Sequence, residues 1–194
     1  MKTMKLHHLL WLGLLAALLS GCAGTSSIVG GPTLDSKASW VLLPIVNNTE
    51  TPQAALSAEA LVEHHLRARG VQELQRYPAT LARDSLFEPA ERKQADEALQ
   101  WARAQGARYA ITGSVEEWRY KVGLDGDPVV GLTLRVIDLG SGRVVWSASG
   151  SRSGWLREGV SSVALKLVGQ LVGGLKLVGS AGTAAPQDAV RRDS

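Results

Sequence analysis

The chain has 194 residues, 21 Lys and Arg against 18 Asp and Glu, and one cysteine. One cysteine excludes an intrachain disulfide. Without Lys2 and Lys5, which belong to a removable leader, the balance is 19 basic to 18 acidic residues, and this gives no support for the clustered basic surface of a nucleic-acid-binding protein.

The chain opens with Met1-Lys2-Thr3-Met4-Lys5 and is apolar from Leu9 to Leu19. A basic start, a short apolar run and small residues at a cut site make a secretory signal peptide, over residues 1–21. The run is shorter than the ~20 residues that span a bilayer. Leu19-Ser20-Gly21-Cys22 resembles a bacterial lipobox, which implies that Cys22 is acylated and becomes the first mature residue. Ala23, in place of Asp, implies sorting to the outer membrane. Residues 22–38 are small and Gly/Ser-rich and read as a flexible lipidated tether with a reach of ~50 Å.

A single domain is expected over residues 39–179. Ser39–Val46 is an apolar strand whose Pro44 suggests an edge or a strand end. Thr51-Pro52 opens a helix that runs to about Arg69, with Ala54, Ala58, Leu61, Val62 and His65 on one face and Gly70 as its stop. Val71–Tyr77 is a second strand, ended by Pro78. Pro89 starts a helix with an Ala95, Ala98, Leu99, Ala102 stripe, closed by Gly106. Three strands follow, over 107–122, 129–139 and 143–153; the last two are joined by a Gly-bearing hairpin at 138–142. Leu132, Leu134 and Val136 alternate with Thr133, Arg135 and Ile137, as in a sheet with one face under helices. A final helix begins near Arg157, with a Val160, Val163, Ala164, Leu167, Val168, Leu171 stripe. Residues 180–194 read as a disordered tail. The order β-α-β-α-β-β-β-α predicts an α/β fold, a two-layer sandwich with a mixed β-sheet packed against helices.

No nucleophile elbow, phosphate loop or dinucleotide fingerprint is present, and no cofactor is implied. His64 and His65 are helix neighbours about a hundred degrees apart and do not chelate a metal as an i, i+4 pair would. Glu116 and Glu117, adjacent on a strand, are expected on opposite faces. Without an activated nucleophile an enzyme is not expected.

Three segments carry a family resemblance. They are Trp40-Val41-Leu42-Leu43-Pro44-Ile45-Val46-Asn47-Asn48, Ala107–Trp118 with Tyr109-Ala110-Ile111-Thr112-Gly113-Ser114-Val115, and Val136–Ser147 with Ser153-Gly154-Trp155 after it. Over residues 38–172 the chain resembles the PelC outer-membrane lipoproteins of Pel exopolysaccharide export. The general architecture is shared with TolB amino-terminal domains, CsgG-like secretion lipoproteins and penicillin-binding-protein activators such as LpoB. The PelC resemblance implies a ring of about twelve subunits on the periplasmic face of the outer membrane. Lipid anchors and aromatic side chains would face the membrane. An acidic funnel would guide a cationic amino-sugar polysaccharide to a PelB-like β-barrel porin.

On that resemblance Trp155 is the membrane-interface residue; the other reading is a tryptophan capping the core under the last helix. Asp125, Asp127 and Asp138 are the candidates for the polymer-guiding acidic surface. Asp125 and Asp127 fit turn chemistry equally well, and the chain path sets them nearer Trp155 than a far-side funnel requires. Asp138 lies at the opposite end, where a turn role also explains it. Gly169, Gly173 and Gly174 permit close approach of another backbone or mark fraying of the last helix. The alternative function is a regulatory interaction module, such as a penicillin-binding-protein activator, which would need a long tether.

Overall fold

The structure, a computed structural model, describes residues 24–78, 88–121, 126–155 and 157–179. The signal peptide, Cys22, Asp125 and the expected tail at 180–194 lie outside the described residues. The elements are β1 (Gly24–Val29), β2 (Leu34–Asp35), β3 (Trp40–Asn47), α1 (Ala54–Ala68), β4 (Leu74–Arg76), α2 (Glu88–Ala104), β5 (Tyr109–Tyr120), β6 (Pro128–Asp138), β7 (Arg143–Ser153), α3 (Val160–Gly173) and β8 (Leu177–Val178).

The predicted mixed α/β order, β-α-β-α-β-β-β-α, runs from β3 to α3. Six strands form one sheet in the order β1-β7-β6-β5-β3-β4. β5, β6 and β7 are an antiparallel meander, while β3 and β4 join it in parallel. The alternation read from β6 holds: Leu132, Leu134 and Val136 are buried, Thr133 is half-buried and Arg135 exposed. With Trp40, Leu42, Ile111 and Val130 they form the core under α1 and α3, which contribute Ala58, Val62, Leu66, Val163, Leu167 and Leu171. Val41, Leu43 and Ala110 point the other way, onto Ala98 and Ala102 of α2. The sheet thus has α1 and α3 on one face, and α2 covers the β3–β5 region of the other. Gly70 and Gly106 stop α1 and α2 with φ of 88° and 69°, a backbone region open to glycine at little cost.

Two expectations are corrected. Pro44 does not mark the strand end, because β3 runs on to Asn47, but it lies past the β4 ladder, whose last pair is Leu42 with Arg76, so that side of the strand is locally an edge. The register of β3 on β5 slips between Leu42 and Ile45, so a bulge absorbs the missing proline donor, and Thr112 Oγ1 donates to the Pro44 carbonyl at 2.8 Å. Nor is the 22–38 segment wholly a tether. Gly24–Val29 pairs antiparallel with β7 through six register pairs, and β2 pairs parallel with β8. All six β1 residues are exposed, so no buried apolar pattern announces this strand. It is held by the ladder, by Gln170 Nε2 donating to Ser26 Oγ at 2.8 Å, and by Ile28 lying against Gly174. Only Cys22 and Ala23 separate the lipobox cleavage point from β1.

Gly113 sits where β5 and β6 approach closely; a Cβ there would collide with the Thr133 carbonyl oxygen. Gly113→Ala is expected to destabilise the domain by about 1–3 kcal/mol, as overpacking does. Urea unfolding of the two proteins checks this.

Candidate functional site

Strand directions gather one set of residues at one end of the sheet. β5 ends there at Tyr120 and β6 begins at Pro128, and these two residues are paired. Val129 pairs with Ser153 at the end of β7, and Arg152 pairs with Gly24 at the start of β1. The Gly154 amide donates to the Pro128 carbonyl at 2.8 Å. Gly154 is tucked so tightly that a Cβ would meet Val163 Cγ2 at 2.6 Å. The chain then turns into α3 through Glu158 N–H donating to the Trp155 carbonyl at 2.7 Å, and the first α3 amide, Val160 N–H, donates to Tyr120 Oη at 3.3 Å.

Trp155 is 78% exposed and Tyr120 53%. That exposure rules out Trp155 as a cap on the core. An exposed indole is costly in water and favoured in a lipid headgroup zone. Lys121, Arg152 and Arg157 surround this end, and Lys121 Nζ donates to Ser153 Oγ at 2.9 Å. Among the described residues no helix is long and apolar enough to cross a membrane.

The candidate acids are not brought together. Asp127 is half-buried at the Trp155 end, where its carbonyl accepts the Lys121 amide at 2.8 Å. Asp138 lies at the other end of β6, ten residue steps or about 33 Å away. Its Oδ1 accepts the Ser141 amide at 2.8 Å, and Arg108 Nε lies 3.4 Å from Oδ2. The Ser141 amide, more than the Arg108 charge, holds the Asp138 carboxyl below its usual range.

Other sequence candidates resolve differently. His65 Nε2 is 3.1 Å from the Leu165 carbonyl and its ring lies against Gly169. Burial lowers its pKa. Gly169 therefore serves close helix–helix contact within the subunit. Among the described residues no group of three or more His, Cys, Asp or Glu is placed to hold a metal ion. Glu116 and Glu117 depart from the expected opposite faces: the β5–β6 register slips between Val115 and Glu117, and both residues line one hollow of about 550 Å³ on the open sheet face. Strict alternation could not reveal that bulge. Both carboxylates are engaged, Glu116 by Ser114 and Asn48 and Glu117 by Arg119 at 2.7 Å.

No family model and no curated protein sequence matches the chain. Solved structures do. A PelC dodecamer from Paraburkholderia phytofirmans is 42% identical, with 80% of this chain and 99% of that chain covered and a TM-score of 0.68. A single-substitution variant of that protein in another crystal form gives 42% identity, the same coverage and 0.69. The lipoprotein GNA1162 from Neisseria meningitidis is 20% identical, with 69% of this chain and 94% of that chain covered and a TM-score of 0.49. The α/β domain described here thus has the fold of the Paraburkholderia protein over nearly that protein's whole resolved length. The chain belongs to the PelC family.

The depressed Asp138 pKa fixes a pH dependence. A carboxyl lowered in the folded state adds stability that is complete above the unfolded value of about 3.9 and is lost as pH falls through the lower folded value. Asp138→Asn keeps an acceptor for Ser141 but removes the charge. It is expected to flatten the loss of stability between pH 5 and pH 2, measured by urea unfolding across that range.

Proposed function

We propose that this chain is a non-catalytic lipoprotein of the outer membrane, anchored through acylated Cys22 on the periplasmic face. Its subunits form a ring of about twelve that guides a cationic amino-sugar exopolysaccharide to a PelB-like β-barrel export porin. The observation that carries this reading is the 42% identity to a PelC dodecamer over 80% of the chain. Geometry supports it: the start of β1, two residues after Cys22, lies at the same end as exposed Trp155. An acyl anchor and an interfacial tryptophan are then two signals on one surface, and two are needed for stable attachment. Repetition around a ring multiplies each weak contact.

Asp138 is assigned to the end away from the membrane. Its ion pair with exposed Arg108 is a surface pair of small net strength, so an ammonium group of a passing polymer can compete for the carboxylate. Asp127 sits at the Trp155 end, the length of β6 from Asp138, and is not assigned to that acidic surface. The regulatory-module alternative needs a long reach from the membrane, and the pairing of residues 24–29 into the sheet counts against it.

Light scattering on the mature chain carrying Cys22→Ser tests the assembly. A discrete particle near twelve subunits in low and moderate salt is expected. A monomer under every condition would sink the ring. Lipidation is checked separately in cells, where labelled palmitate should enter the wild type and not Cys22→Ala.

A further inference from the structure

Resting on the membrane-facing reading of Trp155, the proposal here concerns the cations around it. Arg152 pairs directly with Gly24, and its aliphatic stem lies against that glycine, two residues from Cys22. Its Nε–H is buried and has no hydrogen-bond acceptor among the described residues. The buried Nε–H holds the stem in place, while the terminal guanidinium nitrogens are not buried and make no hydrogen bond among the described residues, which leaves them open to a partner from outside the subunit. Lys121, which follows the end of β5, and Arg157, two residues after Trp155, are exposed, and neither makes an ion pair among the described residues.

The carboxylates nearby are mostly committed elsewhere. Glu117 pairs with Arg119 at 2.7 Å and Glu158 with Lys166 at 2.5 Å, each pair cancelling itself. Asp127 is half-buried in the turn before β6. The three remaining cations frame an exposed indole and an exposed phenol at the point where the chain leads back to Cys22. Guanidinium and ammonium groups beside interfacial aromatics suit phosphate diesters, with the fork of an arginine matched to phosphate oxygens.

We propose that Arg152, assisted by Lys121 and Arg157, binds the phosphates of phospholipid headgroups around Trp155, so that the end of the sheet next to the anchor is an anionic-lipid docking surface. The lipid phosphate meets the terminal guanidinium nitrogens of Arg152, which have no acceptor among the described residues. The surface fixes how the domain stands on the bilayer, because three cations and two aromatics spread over the ends of β5 and β7 and the turn into α3 leave little freedom to tilt.

The test uses the mature chain with Cys22→Ser, so that acyl chains do not mask weaker contacts. Co-sedimentation compares vesicles of phosphatidylcholine alone with vesicles holding 30% phosphatidylglycerol. Partition at least tenfold stronger into the anionic vesicles is expected, declining as salt rises. Arg152→Gln, Lys121→Gln and Arg157→Gln should each lower that preference roughly fivefold, the scale of one cation at an anionic surface. Arg152→Lys should retain part of it and controls for damage to β7. Equal partition into both vesicle types, or a preference unchanged in all three Gln variants, overturns the proposal. Trp155→Ala separates this from the reading on which it rests. Loss of binding to neutral vesicles in that variant supports the membrane role of Trp155 whatever the charge result. Binding to both vesicle types that is indifferent to Trp155 removes that role.

Discussion

The register of β7 against its two neighbours is the constraint on which the rest of the molecule depends. Ser153 opposite Val129 and Arg152 opposite Gly24 bring the ends of β1, β5, β6 and β7 to one level. A slip of one residue would turn Trp146 and Ala148 out of the core and send every alternate side chain to the wrong face. The slip is prevented by burial: α3 lays Val163, Leu167, Val168 and Leu171 on that face. At roughly 1.5–3 kcal/mol for each fully buried aliphatic side chain, this seam outweighs any single polar contact in the domain.

Much of this was legible in the sequence. Period-two alternation in β6, the 3.6-residue stripe of α3 and the glycines after α1 and α2 placed those elements within a few residues. The first two signals come from apolar residues that mostly end up buried, and the glycines from a positive φ that other residues rarely adopt, which is why they could be read. What escaped has the opposite character. β1 buries none of its six residues, so its Gly/Ser composition reads as a linker although the ladder orders it. The bulges at Pro44 and before Glu117 are backbone events set by neighbouring strands, and a single strand's pattern does not contain them.

The candidate site was legible in part. Ser-Gly-Trp before the last helix pointed to Trp155, and the structure leaves that residue exposed. The acidic residues were harder. Asp-Gly-Asp-Pro and Asp-Leu-Gly-Ser-Gly are turn sequences whatever else they do, and sequence alone could not tell that Asp138 already holds the Ser141 amide and lies beside Arg108. Nor could it tell that Arg152, an ordinary strand residue by pattern, has a guanidinium donor buried without an acceptor.

The pairing of β1 also sets the mechanics of the anchor. With acyl chains on Cys22, a pull from the bilayer enters the domain at Gly24 and runs along the strand axis. Such a load falls in shear on all six register pairs of the β1–β7 ladder together, where a sideways pull would peel them apart one after another. The edge strand, with little packing of its own, would pass that load into the fold along its whole length.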